Sequence, residues 1–522
     1  MPTALTRILL SLLLLLPLAA QAGEADDFVA ANASKQAKLL QDWAATPNTE
    51  RMPLLQALQQ GRVGSDADKR AFIEQDGTWQ AADGNAEANG TPRKLRLNNR
   101  LRGLIAFAVA SHQLLDNDAA VRLAAAKQLQ RNTPPALLPL LENRLSMEAD
   151  ENVRDAITLA LANLQLEASD PAVRLAAVER LGKTGDPLAR TRLQSLLDGE
   201  ESDATVRAAA EQSLAQVKNK LLIGELLGQA FSGLSLGSIL LLAALGLAIT
   251  FGLLGVINMA HGEMLMLGAY TTYVVQLSFQ RLAPEYLTLY PLAALPIAFL
   301  VTACIGMALE RTVIRHLYGR PLETLLATWG VSLILQQAVR TLFGPTNQEV
   351  SNPSWMAGAF ALGGMTVTWS RLWILVFSLA VFALLFVVLT RTTIGLRMRA
   401  VTQNRRMAAA MGIRTPWIDA MTFALGSGIA GIAGVALSQI DNVSPNLGQG
   451  YIIDSFMVVV FGGVGNLWGT LVGSMTLGIA NKFLEPYAGA VLGKIFVLIF
   501  IILFIQRRPR GLFALKGRAI EN

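Results

Sequence analysis

Cysteine is almost missing: Cys304 is the only one in the 522 residues. An internal disulfide and a cysteine-based metal cage are therefore excluded. Lying in an apolar run, Cys304 is expected to be an inert, buried small residue. Histidine is nearly as scarce. None of His112, His261 and His316 has a second ligand at helical spacing, which argues against a hydrolytic metal site. Charge is thin as well, at 16% of residues against 52% hydrophobic, where a soluble chain carries about 25%. A nucleotide-binding loop is also lacking. Gly182-Lys183-Thr184 ends like one, but the glycine required five residues before Gly182 is Ala177. With no redox cluster and no nucleophile–base pair either, the chain reads as a non-enzyme that needs no cofactor and no metal.

What is present is unevenly distributed. Residues up to about 220 are charged and polar, and apolar runs dominate the rest. This division suggests a soluble domain followed by a membrane domain. The net charge of +6 does not point to nucleic acid, because the basic residues gather in short clusters between apolar spans. At the start, Arg7, the apolar core Ile8 to Leu16 and the small-x-small site Ala20-Gln21-Ala22 have the form of a secretory signal peptide over 1–22. The apolar core is too short to span a bilayer. The chain after Ala22 is expected to be exported.

Residues 23–218 contain an internal repeat. Asp118, Val121, Arg122, Ala124, Ala125 and Leu129 recur as Asp150, Val153, Arg154, Ala156, Ile157 and Leu161. They return as Asp170, Val173, Arg174, Ala176, Ala177 and Leu181, and then as Asp203, Val206, Arg207, Ala209, Ala210 and Leu214. The apolar positions of each copy line one helix face, and the leading Asp is suited to cap the helix start. The pattern is similar to HEAT repeats and predicts an α-solenoid. It could dock a protein or simply cap the membrane domain on the periplasmic side. Residues 61–100, rich in Gly, Asp, Asn and Ala, are expected to form loops.

From 226 to 518 the chain reads as a polytopic membrane domain, with apolar spans near 226–254, 257–279, 288–309, 322–343, 371–389, 417–440, 452–480 and 488–505. The fold class is thus all-α, with seven to nine spans. Arginines cluster at Arg311, Arg315 and Arg320, again from Arg391 to Arg414, and in a tail holding Arg507, Arg508, Arg510, Lys516 and Arg518. The positive-inside rule puts these three segments in the cytoplasm. The exported start and the basic tail require an odd number of crossings of the inner membrane, with the N-terminal domain periplasmic and the C-terminus cytoplasmic. The 452–480 segment is long and interrupted by glycine, so it is expected to be a re-entrant piece or two short spans. Gly428, Gly431 and Gly434 mark one close-approach face, and Gly465, Gly469 and Gly473 a second, where small residues let backbones approach in lipid. Packing within one subunit is the simpler use of these faces, and a dimer seam the other.

Two stretches point to transport. Gly255 to Glu263 interrupts two apolar segments and carries Asn258, His261 and Glu263. Such groups are costly at membrane depth unless paired or hydrated, and a broken helix offers them a place. They are candidate pathway residues, together with Gln336, Gln337 and Asn466. Each of them could equally tie two helices together. The basic segment from Thr392 to Ile413 holds Gly395, Arg397, Arg399, Ala400, Asn404, Ala408 and Gly412. Its small residues would let a short helix seat in a cleft of a partner.

Asn258-Met-Ala-His-Gly-Glu263, the Gly395 to Gly412 loop, Phe461-Gly-Gly-Val-Gly465-Asn-Leu-Trp-Gly469 and Arg508-Pro-Arg-Gly511-Leu-Phe513 together resemble the branched-chain amino-acid permease family, from about 226 to 515. Within it, Thr328 to Gln337, Asn442 to Gly450 and the exported N-domain resemble the urea permeases. The resemblance implies a second, similar permease subunit, cytoplasmic ABC ATPases, a periplasmic solute-binding protein and surrounding membrane lipid. It implies that residues 392–413 face an ATPase, which could push on the permease there. Urea, or a close small neutral amide, is then the expected solute, with branched-chain amino acids as the alternative. A stand-alone channel or carrier, which needs ion-binding acids in its spans, and a sensor, which needs a cytoplasmic signalling domain, fit less well.

Overall fold

In a computed structural model, residues 23–75, 78–82, 91–130, 133–199, 201–362 and 365–513 are described. The signal-peptide segment 1–22, together with Lys516 and Arg518, lies outside the described residues. The chain divides into two compact units, Met1–Leu222 and Ile223–Asn522.

In the first unit, helix α1 covers 23–30. It is followed by α2 (Ala33–Ala45), α3 (Met52–Gln59), a small sheet, α4 (Asn99–Gln113), α5 (Ala119–Leu129), α6 (Leu138–Met147), α7 (Glu151–Gln165), α8 (Pro171–Lys183) and α9 (Pro187–Asp198). α10 (Ala204–Leu254) begins here and ends in the second unit. All four repeat aspartates cap their helices. Asp118 accepts from Ala120 N at 2.9 Å, Asp150 from Asn152 N at 2.9 Å, Asp170 from Ala172 N at 2.9 Å and Asp203 from Thr205 N at 2.8 Å. Each cap satisfies a backbone donor that the first helical turn leaves free. Ala125, Leu129, Ile157, Leu161, Ala177, Leu181, Ala210 and Leu214 are buried. Val173 departs from the pattern and is exposed.

The repeats are also joined by charge. Arg122 forks onto Glu148 at 2.9 and 3.0 Å, and Arg174 onto Glu201 at 2.9 and 2.7 Å. Glu148 and Glu201 each stand two residues before a capping Asp and accept from its backbone N–H at 3.1 Å. The arginines are 52 residues apart (174−122) and the glutamates 53 (201−148), so the structural unit is a pair of helical repeats. Two flanking guanidiniums, Arg122 and Arg144, hold the Glu148 carboxyl down to about 2.

The 61–100 segment, expected as loops, instead contains an antiparallel sheet. Its strands are β1 (Val63–Ser65), β2 (Ala71–Gln75), β3 (Thr78–Ala81) and β4 (Arg93–Lys94), in the order β3-β2-β1-β4. Val63 pairs with Ile73 and Ile73 with Gln80. Trp79 lies across Gly64, where a Cβ would come within 2.7 Å of its ring. The strands are so short that their turn residues dominate the composition, which hides them in the sequence.

The second unit continues with α11 (His261–Leu282), α12 (Tyr290–Thr312), α13 (Pro321–Phe343), the hairpin β5 (Ala359–Leu362) and β6 (Met365–Thr368), and α14 (Trp369–Arg391). The short helices α15 (Thr393–Gln403) and α16 (Arg405–Ala410) lead into α17 (Thr415–Ser438), α18 (Leu447–Gly462) and α19 (Leu467–Arg507). Among the described residues, five helical stretches are long and apolar enough to cross a membrane: Ala204–Leu254, Pro284–His316, Trp369–Arg391, Thr415–Ser438 and Leu467–Arg507. α11 and α13 have 22 and 23 residues but carry polar faces. The fold is all-α apart from the two small sheets.

The 452–480 stretch, expected to be a re-entrant piece or two short spans, is two elements. α18 stops at Gly462, and positive φ at Gly463 (108°) and Gly465 (83°) turns the chain into α19. α19 is itself bent double. Gly489 has φ 75° and ψ 164°, and a Cβ on Gly493 would lie 3.6 Å from that of Leu484. In a straight helix nine residues rise about 13 Å, so the chain reverses at Gly489. The descending half returns along α18, with Lys494 on Asp454 at 2.8 Å and the Phe504 ring 4.9 Å from Phe461.

The glycine faces serve packing inside the subunit. A Cβ on Gly434 would collide with the Leu265 carbonyl, one on Gly431 with Thr302, and one on Gly428 with the Phe299 ring. These contacts bring α17 against α11 and α12. Gly469 and Gly473 fit α19 against α18, whereas Gly465 is not on that helix face at all: it sits in the turn, touching Gly252. Cys304, expected buried, is exposed on α12, on the face that also exposes Ile297, Leu300 and Val301.

Candidate translocation site

Two interrupted helices meet in the second unit. The first interruption comes after Leu254, where Gly255 takes φ 70° and residues 255–260 leave the helix before α11 starts at His261. Asn258, fully buried, accepts from Ala260 N at 3.0 Å in the turn that leads into the restart. Met259 N donates to Thr328 Oγ1 of α13 at 3.1 Å. The second interruption lies between α17 and α18, over 439–446. The two helix starts touch backbone to backbone, since a Cβ on Gly448 would collide with the Gly262 carbonyl and one on Gly262 would lie 2.5 Å from the Gly448 oxygen. Only glycine on both sides permits that approach.

α13 supplies a polar face. Thr328, Ser332 and Gln336 recur every four residues and are buried, while Leu326, Trp329, Leu333 and Ile334 of the same helix are exposed. Ser332, midway along α13, donates its hydroxyl to Glu263 Oε1 at 2.8 Å, and Gln336 Nε2 donates to the same oxygen at 2.7 Å. Gln449 of α18 donates to Gln336 Oε1 at 3.4 Å. Arg340, a turn further along α13, donates to Asn446 Oδ1 at 2.5 Å. Glu263 is 1% exposed and lies in the first turn of α11, where the helix dipole favours negative charge. Its Oε2 has no hydrogen-bond partner among the described residues, and neither do Asn258 Nδ2 and His261 Nδ1.

The candidate residues therefore divide. Asn258, Glu263 and Gln336 stand at the joint. His261 is buried beside them, but its Nε2 contacts the Ala243 carbonyl at 2.9 Å and ties α11 to α10. Gln337 is not in the group: it is exposed on the outer side of α13, about 100° around the helix from Gln336. Asn466 is elsewhere too. It caps α19, accepting from Trp468 N at 3.0 Å and Gly469 N at 3.2 Å, because the turn after Gly465 needs a side-chain acceptor. Ser332, Gln449, Arg340 and Asn446 join the group without having stood out in the sequence. A polar residue every fourth position from Thr324 to Gln336 is the signal that could have found the first of them. Among the described residues no group of three His, Cys, Asp or Glu could hold a metal ion.

The basic segment is built as a ledge. Thr392 caps α15, with Gly395 buried so closely against the Leu389 backbone that a Cβ would collide. Arg399 hydrogen-bonds the Leu389 carbonyl, and Thr402 donates to Leu253 O at 3.0 Å, at the end of α10. The Ala400 carbonyl accepts from Asn404 N, and Asn404 caps α16 through Met407 N at 2.9 Å. Ala408 is buried, whereas Arg397, Leu396, Met407 and Met411 face outward. Gly412, with φ 82°, ends the segment.

A bundle of long apolar helices, two of them interrupted around a buried carboxylate, defines the class as a polytopic membrane permease. The chain belongs to the branched-chain amino acid transport system permease component family, whose model matches residues 229–505. Residues 164–215 match HEAT repeats. The high-affinity branched-chain amino acid transport system permease protein BraD of Pseudomonas aeruginosa is 30% identical over 293 residues, covering 55% of this chain and 95% of that one. LivH of Escherichia coli K12, described in the same words, is 30% identical over 296 residues, covering 55% and 94%. A shorter stretch of 111 residues is 31% identical to the ribose import permease protein RbsC of Bacillus subtilis, covering 20% and 34%. No solved structure matches. The chain is thus a transport permease and not an enzyme.

Proposed function

We propose that this chain is the membrane-spanning subunit of an ABC importer for a small, nitrogen-containing polar solute, paired with a second permease and driven by cytoplasmic ATPases. The observation that carries this reading is the buried Glu263 group at the meeting of two interrupted helices, an arrangement suited to a half-way binding point. Residues 392–413 are the coupling element: a rigid ledge joined to α10 with Leu396, Met407 and Met411 turned outward offers a partner a surface to push. The repeat domain over 23–218 lies in the periplasm behind a signal peptide, the 226–518 domain in the inner membrane, and the basic tail in the cytoplasm. A solute-binding protein delivers the cargo.

Branched-chain amino acids are the first substrate class, because relatives aligned across the permease portion are named for them. Urea, the first expectation from the sequence, becomes the second reading, and one observation favours keeping it. The two segments that carry the urea resemblance, Thr328 to Gln337 and Asn442 to Gly450, meet at this group through Gln336 and Gln449. Uptake of labelled leucine and labelled urea by cells lacking the gene, with the gene restored as control, separates the readings. Loss of leucine uptake supports the first, loss of urea uptake the second, and loss of neither ends the importer proposal.

A further inference from the structure

The interruption before α11 and the first turn of that helix each carry a buried atom without a hydrogen-bond partner among the described residues: the donor Asn258 Nδ2 in the first and the acceptor Glu263 Oε2 in the second. A buried, unpaired polar atom is costly, and a carboxylate more so than a neutral amide. The other Glu263 oxygen is held by both Ser332 and Gln336. The carboxylate is thus oriented by α13, with one oxygen fully engaged and the second left open. Two helix starts converge on the same place through the Gly262–Gly448 contact, adding partial positive charge that favours an oxygen-bearing ligand group. The free acceptor and the dipoles of the two helix starts complement a molecule that offers an N–H group and carries an oxygen.

We propose that Glu263 is the solute-reading residue of the importer, its free oxygen accepting an N–H of the transported molecule half-way across the membrane. This rests on the importer reading above. An amino acid would offer its ammonium group and urea its amide N–H, so the recognised chemistry is shared. Ser332 and Gln336 act as positioning residues, because they fix which oxygen is free.

The test uses the complete transporter in proteoliposomes, with permease pair, ATPases and binding protein, and measures labelled leucine uptake, labelled urea uptake and ATP hydrolysis. Glu263→Gln keeps the shape and can still accept from Ser332 and Gln336, but it turns an amide donor toward the solute donor. Uptake per ATP is expected to fall at least about tenfold, the scale of one charge-assisted hydrogen bond. ATP hydrolysis and subunit assembly are read on the same samples, so that a loss of uptake per ATP is separated from a loss of assembled transporter. Glu263→Asp, which retains the carboxylate, recovers part of the loss. The affected solute identifies the group read, ammonium if leucine and amide if urea. Unchanged uptake per ATP in Glu263→Gln would overturn the proposal. Joint loss of uptake, ATPase stimulation and subunit assembly in both variants would overturn it too, by making Glu263 structural. A wild-type assembly that imports neither solute would instead remove the importer reading, and this inference with it.

Discussion

Arg405, the first residue of α16, is ion-paired with the fully buried carboxylate of Asp419 on α17, and its guanidinium lies 5.1 Å over the Tyr318 ring. Tyr318 in turn donates to Glu310 of α12 at 3.3 Å. The ledge is therefore fastened to the two helices that pack on α11, the helix bearing Glu263. Any push on α16 has a direct mechanical path toward the joint.

Cutting that fastening should uncouple the transporter. Arg405→Ala leaves Asp419 buried and unpaired, a cost of about 2–3 kcal/mol, less than for a fully buried pair because Arg405 is half-exposed. ATPase activity should persist while solute uptake per ATP drops. Equal uptake per ATP in mutant and wild type would argue against a role for the pair in transmission.

Gly412 tests the ledge differently. No neighbour lies near the Cβ position, so its constraint is the backbone, at φ 82°. Gly412→Val forces a β-branched residue into a left-handed conformation at a cost of about 1–3 kcal/mol. Insertion, read by detergent-extracted monodisperse protein, should survive while binding-protein-stimulated ATPase activity is lost. Normal uptake by the variant would remove the coupling assignment.

Helix packing gives a stability prediction. At Gly431 a side chain would meet Thr302 and the Ala298 carbonyl, so Gly431→Val must separate α17 from α12. Overpacking of this kind costs about 1–3 kcal/mol or more. The yield of folded protein should fall sharply, and Gly330→Val, at an open position on α13, serves as the tolerated control.

In the repeat domain the Glu148 carboxyl lies near 2, below its ordinary 4.5. A depressed carboxyl adds stability that is full above the unfolded value and fades as pH falls from 4.5 toward 2, here about 3 kcal/mol. Amide protection across α5 to α7 in the intact protein should weaken in that window. Glu148→Gln should lower protection at neutral pH and flatten the acid dependence.

The sequence disclosed what depends on local periodicity. Capping aspartates, apolar helix faces and the interruption at Gly255 to Glu263 could all be read from neighbours in the chain. Pairings over long separations could not. The bidentate partner of Glu148 lies 26 residues earlier, at Arg122, and Gln336 differs from Gln337 only by which side of α13 faces inward. Asn466 looked like Asn258, a polar residue beside glycine in an apolar stretch. Asn466 caps α19 and Asn258 closes the buried turn before α11, and that difference is set by tertiary position. The reversal of α19 was partly legible, because the expected spans 452–480 and 488–505 part beside it, where Asn481, Lys482, Glu485 and Pro486 interrupt the apolar sequence before Gly489.

That reversal has a consequence for how the protein is made. The turn after Gly462 is closed by the segment beyond α19: Leu512 N donates to Phe461 O at 2.9 Å and Phe513 N to Gly462 O at 3.1 Å. These partners leave the ribosome only after all of α19 has been synthesised and has doubled back. Until then α18 lacks the neighbour for Asp454 and the aromatic cover of Phe461. Assembly of this corner is therefore ordered in time, with the late segment acting as the clasp that closes it.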